Sequence, residues 1–256
     1  YAPAQRLDFG TTYYWRVDEV NAPPTSQVEF KGSVWSFTTE PIAYPIEDVN
    51  ATASSTLTDM GPENTVNGSG MDADDLLHSA EQADMWISGN EPTLAWIEFE
   101  FDKVYKLHEM LVWNSNQMIE SIVGFGAKGV TIEYSSDGND YTRLGTTHEF
   151  ARAPGAPGYA HNTTVDFGGV AVKNVRLTIT SNWGLFPQYS LSEVRFTYIP
   201  LLARKPQPQS GATGIDVDAV LSFRAGREAA EHNVYIDTDE QAVIDSNVPV
   251  TTVTEA

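Results

Sequence analysis

Alternating apolar and polar positions predict antiparallel strands near both ends of the chain. Residues 7–39 contain two such runs, separated by a loop that bears Pro, Ser and Gly. Their defining positions are Tyr13, Trp15 and Val17 in the first run, and Val34, Trp35, Phe37 and Thr39 in the second. Residues 205–237 begin with a Pro-rich entry and contain two further runs, Ala219–Leu221–Phe223 and Val234–Tyr235–Ile236.

Neither end contains enough strands to close a core, because a two-stranded hairpin alone is only marginally stable in water. Residues 205–256 placed before residues 1–40 give about 90 residues, close to the roughly 100 residues of a small antiparallel sandwich. We therefore interpret the two ends as halves of one domain, split by a different domain. The alternative is two unrelated strand-rich tails. Pro-bearing links at Glu40–Pro45 and Ile199–Pro208 mark the boundaries.

Residues 44–199 read as one all-β unit. Apolar runs at 94–101 and 107–112 predict two strands, with a turn-like break at Asp102–Lys103. Asp137–Gly138 predicts a hairpin with a two-residue type I′ turn. Short strands separated by Gly, Asn and Asp indicate a β-sandwich or jelly roll. No apolar period of 3.6 residues is long enough to predict a major helix.

Composition narrows the classes of function. Thirty-five acidic residues against 15 basic ones give a net charge of −20, which repels phosphates and argues against nucleic-acid binding. The chain has no Cys, so a disulfide scaffold, a zinc–thiolate site and a cysteine nucleophile are excluded. The apolar segments are short and alternating, so no membrane insertion is expected. The sequence lacks an initiator Met and a signal-peptide pattern, and we expect a segment of a longer protein.

The terminal segments carry a family resemblance. LDFGTTYYWRV and VWSFTT resemble the closing strands of fibronectin type III-like domains of bacterial secreted proteins, and GATGIDVDAVLSFRAG with VYID resembles the opening strands. This resemblance implies that residues 1–40 are the C-terminal half of such a domain and residues 204–256 the N-terminal half. Three completions stay open: covalent continuation into a neighbouring identical repeat, head-to-tail pairing between chains into a filament, or closure within one chain as a circular permutant.

The middle segment resembles a second family. ATASS at 51–55, NTVNGSGMD at 64–72 and Trp86 are followed by IEFEFDKVYKLHEMLVWN, VTIEYSSDGNDYTRLG, VRLTITSNW and SLSEVRF. In this order they resemble discoidin, or coagulation factor 5/8 C-type, domains, which overlap with family 32 carbohydrate-binding modules. The resemblance covers residues 44–199. It implies a jelly-roll β-sandwich whose end loops bind sugars, lipid headgroups or proteins.

The resemblance also implies a calcium site, because a polar loop with one distant carboxylate supplies the oxygen ligands that calcium requires. The implied ligands are the backbone carbonyl of Asn64, then Asn67, Ser69 and Asp72, a carbonyl of Ser192, and the closing carboxylate of Glu193. Asn67 stands where the family usually has Asp, and Asp72 restores that charge. The acidic insertion 73–84 is longer than is typical and allows the loop to rearrange. The alternative is a solvated acidic turn held by its own hydrogen bonds.

A sugar site needs an aromatic face together with forked polar groups. The candidates are Asn114, Asn116, Gln117, Arg152, Trp183, Phe186 and Tyr189. Of the other tryptophans, Trp86, Trp96 and Trp113 are predicted to lie in the core.

Catalysis has little support, since the five His residues are scattered and no catalytic motif is present. We expect a non-catalytic, calcium-stabilised module between fibronectin III-like spacers on an extracellular or surface protein of a bacterium. Its expected partners are a glycan or cell-surface polysaccharide, in binding or adhesion, and neighbouring repeats. Two alternatives are a purely structural repeat of a filament or surface layer, and an accessory region of a secreted polysaccharide-degrading enzyme.

Overall fold

The computed structural model describes residues 3, 5–21, 28–91 and 94–254. Most of the Pro- and Ser-bearing loop predicted near the N-terminus falls on residues 22–27, outside the described residues. The chain divides into two compact units, Tyr1–Tyr44 and Pro45–Ala256.

The first unit consists of two antiparallel strand pairs, β1 with β4 and β2 with β3. Their bounds are β1 (Thr12–Trp15), β2 (Glu19–Asn21), β3 (Val28–Phe30) and β4 (Trp35–Thr38). Trp15 lies opposite Trp35, with ring centroids 4.9 Å apart. Both rings are about half exposed, and in the described part of this unit no further strand pairs with β1 or β4. The predicted strands at Tyr13 and Trp35 are confirmed, whereas the β2–β3 pair was not predicted.

The second unit is built around two strands of 20 residues each, β9 and β14. The strands from the boundary onward are β5 (Tyr44–Pro45), β6 (Val49–Ala53), β7 (Leu77–His78), β8 (Trp86–Ile87), β9 (Ala95–Asn114), β10 (Ala127–Ser135), β11 (Thr142–Arg143), β12 (His148–Glu149), β13 (Tyr159–Ala160), β14 (Thr163–Asn182), β15 (Ser190–Tyr198), β16 (Arg204–Gln207), β17 (Ser222–Arg224), β18 (His232–Tyr235) and β19 (Val250–Val253). The helices are short: α1 (Glu120–Val123), α2 (Glu240–Ile244), and 3-10 turns at Pro62–Thr65 and Gln82–Asp84.

The main sheet runs in the order β11-β10-β14-β9-β15-β5, and neighbouring strands from β11 to β15 are antiparallel. The first half of β9 pairs with β6 and its second half with β15. One bent sheet therefore supplies both layers of the sandwich. Across the layers Phe99 packs edge-on against Phe196, with centroids 5.2 Å apart. The predicted all-β class with a jelly-roll sheet is confirmed. In the described part of the chain, none of the helices has the length and apolar character needed to cross a membrane.

Two turn predictions were wrong. β9 continues through Asp102–Lys103 as one strand. The irregularity is a bulge in β9, because Tyr105 pairs with Val172 and Glu100 with Asn174, so four residues of β9 lie opposite one residue of β14. The hairpin at Asp137–Gly138 exists, but its loop spans residues 136–141. Gly138 has φ of 80° and Asp137 has no positive φ, whereas a type I′ turn needs positive φ at both central residues.

The C-terminal segment contains two further strand pairs, β16 with β17 and β18 with β19. Both predicted strands are present, although β17 starts after Leu221 and β18 ends before Ile236. Large apolar side chains of this segment, including Val217 and Val220, are exposed. Both terminal segments thus present apolar surface: on the β1–β4 pair in the first, and mainly on the loop before β17 in the second.

Candidate functional site

Glu193 and Arg195 lie two residues apart on β15, so their side chains leave the same face of the sheet. The alternate residues Val194 and Phe196 point the other way, into the main core. Glu193 is paired across the ladder with Trp113. The strand therefore separates an apolar face from a face that carries a carboxylate and a guanidinium.

The Glu193 side chain is fully buried. Arg195 Nε lies 2.5 Å from its Oε1, yet neither carboxylate oxygen accepts a well-formed hydrogen bond. On the outer side, Arg195 Nη2 lies 3.3 Å from Oδ1 of Asp75. Burial raises the pKa of Glu193 to about 7, against the opposing effect of the Arg195 charge. The carboxylate thus sits in a position that favours a neighbouring cation.

Asn67, Asp72 and Asp75 line, with Arg195, a cavity of about 450 Å³. Asn67 Oδ1 accepts a hydrogen bond from Ser69 N at 2.8 Å. Asp72 Oδ1 accepts hydrogen bonds from the backbone N–H groups of two later loop residues at 2.8 and 3.1 Å. These donors hold the pKa of Asp72 below its usual value. The loop is therefore shaped by its own hydrogen bonds, and one oxygen of each side chain already has a donor.

Four of the six predicted ligands do not line this cavity: Asn64, Ser69, Ser192 and Glu193. Asn64 Nδ2 donates to the carbonyls of Ala83 and Met85 at 3.0 and 3.2 Å. Ser192 Oγ accepts from the backbone of Asn116 at 3.2 Å, and Ser69 contributes its N–H to Asn67. The Asn64 side chain thus fixes the loop and takes no part in the cavity wall.

The predicted ligands are oxygen donors of the kind that calcium takes. In the described part of the chain, no three His, Cys, Asp or Glu side chains converge as a metal-binding group. Calcium, however, also takes amide and carbonyl oxygens, and the buried Glu193 carboxylate, although it contacts Arg195, accepts no well-formed hydrogen bond. Sequence reasoning missed Arg195 and Asp75. The alternation S-E-V-R carried the signal for Arg195, since residues two apart on a strand share a face.

The predicted sugar-site residues lie at an end of the sandwich where three loops meet. Gly184 sits so close to α1 that an added Cβ would lie 1.9 Å from the Val123 carbonyl oxygen. Trp183 Nε1 donates to the Phe150 carbonyl at 3.2 Å, and the Arg152 guanidinium donates to the Glu120 carbonyl. The loops at 115–126, 150–158 and 183–189 are therefore tied to one another.

Asn114, Asn116 and Gln117 were wrong as sugar ligands, since all three are buried. Asn114 Nδ2 donates to the carbonyls of Ala127 and Ala151 at 2.7 and 2.8 Å. The Asn116 amide bonds four backbone groups: its Nδ2 donates to two carbonyls and its Oδ1 accepts from two N–H groups. Gln117 pairs with the side chains of Gln82 and Glu120. These amides hold the loops together and have no group left for a ligand.

Tyr189 was wrong for a related reason, because its ring belongs to the main core. Phe186, in contrast, is 53% exposed and packs edge-on against Phe125. Trp183 is half-buried, with Lys128 Nζ 4.6 Å from its ring centroid. Arg152 is exposed. The residues that can meet a ligand are therefore Trp183, Phe186 and Arg152.

Aliphatic residues on the same loops were missed, because the search in the sequence was for aromatic and amide groups. Leu185 is fully exposed and Ile122 is 78% exposed, and Met118 and Ile119 are also exposed. We call these four residues the aliphatic rim. Beneath it lies Glu120, whose Oε1 accepts from Gly126 N at 2.9 Å and whose pKa is raised by burial.

Of the three tryptophans predicted to lie in the core, Trp86 and Trp113 are buried as expected. Trp96 is 36% exposed, and the prediction was wrong for it. Its ring lies on the outer face of β9, 5.4 Å from the Arg176 guanidinium carbon. The Arg176–Glu98 ion pair fixes that guanidinium, with Nη2 2.6 Å from Oε2.

The family profile described as F5/8 type C domain matches residues 50–193, which include both the polar loop and Glu193. Comparison with curated proteins gives no match. One similar solved structure is CBM32-3 from a family 31 glycoside hydrolase of Clostridium perfringens (19% identity, 61% of this chain, 95% of that chain, TM-score 0.47). Others are the family 32 CBM of C. perfringens NanJ in complex with galactose (13%, 61%, 98%, 0.45) and a Streptococcus pneumoniae fucose binding module (15%, 60%, 96%, 0.44).

Proposed function

We propose, since the chain belongs to the F5/8 type C domain family over residues 50–193, that it is a non-catalytic carbohydrate-binding module of an extracellular bacterial protein. The observation that carries this proposal is the exposure of Phe186, part of Trp183 and Arg152 on loops held rigid by buried amides. Aromatic faces accept the C–H side of a sugar, and a guanidinium donates to its hydroxyls. Rigid loops lower the ordering cost of binding.

Glycan-array binding followed by calorimetry tests this function. We expect Trp183→Ala and Phe186→Ala to weaken sugar binding by about tenfold or more, equivalent to about 1.4 kcal/mol. Trp96→Ala is the matched control, because Trp96 is partly exposed on the sheet face and away from the loops. Equal binding by all three variants would contradict the proposed surface.

A second candidate function is adhesion to an apolar protein surface. It is favoured by the aliphatic rim, because large exposed apolar groups clustered on one loop end mark interaction sites. Ile122→Ser separates the two candidates. Loss of cell-surface or protein adhesion in this variant, with sugar binding retained, favours adhesion. The reverse result favours the sugar.

We also propose that calcium stabilises the module. The proposed donors are the side chains of Asn67, Asp72 and Glu193, together with Ser69 and the backbone carbonyls of Asn64 and Ser192. Bound calcium supplies the positive charge that links the polar loop to β15. Support comes from the buried Glu193 carboxylate and from the cavity shared by Asn67 and Asp72.

Thermal unfolding with calcium or with chelator checks the metal. Calcium at about 100 times its Kd should raise the free energy of unfolding by about 2.7 kcal/mol. Glu193→Gln should remove this difference, because the variant keeps the shape of the side chain but loses its charge. If the melting temperature of the unchanged chain is the same in calcium and in chelator, this chain does not bind calcium.

The terminal segments are proposed to be complementary halves of a fibronectin III-like sandwich, completed by neighbouring repeats. Exposed apolar residues on both halves support this, among them Trp15 and Trp35 in one and Val220 and Leu221 in the other. The proposed repeat would display the binding module on a surface protein. The structural-repeat and enzyme-accessory roles remain the competing hypotheses, and the absence of any ligand on a glycan array would favour the former.

A further inference from the structure

We infer that Arg195 is a built-in cation at Glu193, which calcium must displace in order to reach the carboxylate. This inference rests on the calcium part of the proposed function and goes beyond it. It assigns to a side chain of the protein the charge that an ion would otherwise supply. The consequence is that the affinity of the site for calcium is set by competition with a guanidinium.

Arg195 occupies the position between two carboxylates that a bound calcium ion would take. The guanidinium lies between the buried Glu193 carboxylate and the exposed Asp75 carboxylate, with contacts of 2.5 and 3.3 Å. It therefore bridges β15 and the polar loop, which is the bridge that a calcium ion would make. Arg195 and Asp75 also line the cavity that holds Asn67 and Asp72. The guanidinium thus shares this cavity with two of the proposed ligands, Asn67 and Asp72, and contacts a third, Glu193, directly.

Calcium and the Arg195 guanidinium exclude each other at the Glu193 carboxylate. Calcium binds carboxylate oxygens at about 2.3–2.6 Å, and Arg195 Nε already lies 2.5 Å from Oε1. The two cations cannot share that position, because their volumes overlap and their like charges repel each other. Calcium binding at Glu193 therefore requires Arg195 to move away.

Few contacts hold the Arg195 side chain at Glu193, so it can move away from the carboxylate. Its Nε makes no well-formed hydrogen bond, and about a quarter of its side chain is exposed. Asp75, with 68% of its side chain exposed, offers it a carboxylate on the solvent side. Arg176 provides the contrast: its Nε donates to Glu98 at 2.6 Å, and it stacks on the rings of Trp96 and Tyr141. Among the described residues, Arg195 lacks such stacking: two carboxylate contacts hold it, and its one hydrogen bond, from Nη2 to Asp75, is long at 3.3 Å. An ion can therefore replace it more readily than it could replace Arg176.

Calcium titration of the full chain tests the inference, with calorimetry and thermal unfolding as readouts. Arg195→Met removes the competing charge and keeps the apolar stem of the side chain. We expect its calcium affinity to exceed that of the unchanged chain by about tenfold or more, within the range of typical coupling between two ligands. We also expect it to melt lower in chelator and to recover in calcium. Arg176→Met is the matched control, and its calcium affinity should equal that of the unchanged chain.

The outcomes separate this inference from the proposed function. If Arg195→Met binds calcium and the unchanged chain does not, the inference is supported. The same result overturns the calcium proposal for the natural sequence. Equal affinity of both chains overturns the inference and leaves the calcium proposal standing. No binding by a folded Arg195→Met overturns both. If Arg195→Met does not fold in either condition, Arg195→Gln decides, because it also removes the charge but keeps a polar side chain. Its calcium affinity should exceed that of the unchanged chain, and equality overturns the inference.

Discussion

Asn116 joins two separate loop segments through a single buried amide. It donates to the carbonyls of Ser79 and Ala156 and accepts from the N–H groups of Gly155 and Ala156. Asn116→Ala should lower the free energy of unfolding by about 1–3 kcal/mol, because buried backbone groups lose their partners. Denaturant unfolding measures this. Asn139→Ala is the control, since Asn139 is exposed in the 136–141 loop, and it should cost far less.

The sequence predicted which residue types gather at the loop end, but not which of them face outward. Whether an Asn is a ligand or a loop clamp depends on backbone groups that lie far away in the chain. For Asn114 these are the carbonyls of Ala127 and Ala151. Aromatic residues followed the same rule, since Tyr189 packs into the core and Phe186 does not. The residue type indicates which chemistry a side chain can perform. The tertiary contacts decide whether that side chain is accessible to a ligand.

At the scale of elements, the close contact between α1 and the 183–189 loop depends on having no side chain at Gly184. Gly184→Ala should push the two loops apart, since its Cβ would meet the Val123 carbonyl oxygen. We expect a loss of about 1–3 kcal/mol in stability, as in other overpacked sites, and weaker sugar binding. Unfolding curves and calorimetry measure both effects.

Gly168→Ala is the control for that change. Gly168 has φ of 63° and nothing within 4 Å of an added Cβ, so its cost of roughly 1–2 kcal/mol comes from backbone strain alone. It lies in β14, away from the loop end, and should leave sugar binding unchanged. If both variants lost sugar binding, the effect would be general destabilisation and not loop contact.

Element prediction worked where periodicity was strong and failed where a partner strand decided the outcome. The alternation around Trp15 and Trp35 was enough to place β1 and β4. Asp102–Lys103 has the composition of a turn, yet the strand continues because β14 pairs with β9 on both sides of it. A local composition signal cannot distinguish a turn from a bulge whose flanking residues pair with a strand some seventy residues later.

At the scale of the molecule, the split sandwich gives a direct prediction. A chain that joins residues 205–256 to residues 1–40 should fold as one domain, because each half then covers the apolar face of the other. We expect a single cooperative thermal transition by circular dichroism. The same residues joined in the natural order, 1–40 before 205–256, form the control. A joined chain without a transition would indicate two unrelated tails.

The two long strands β9 and β14 also decide how this sandwich can form. Residues far apart in sequence face each other along their whole length, as Ile97 faces Leu177 and Val112 faces Thr163. Both layers share these strands, so neither layer can be completed before the other begins. Because such non-local pairing closes large loops before it gains contacts, the domain belongs among the slow folders, on a timescale of about milliseconds to seconds. A partly made domain leaving the ribosome therefore cannot protect its apolar strands until Tyr198 has been synthesised.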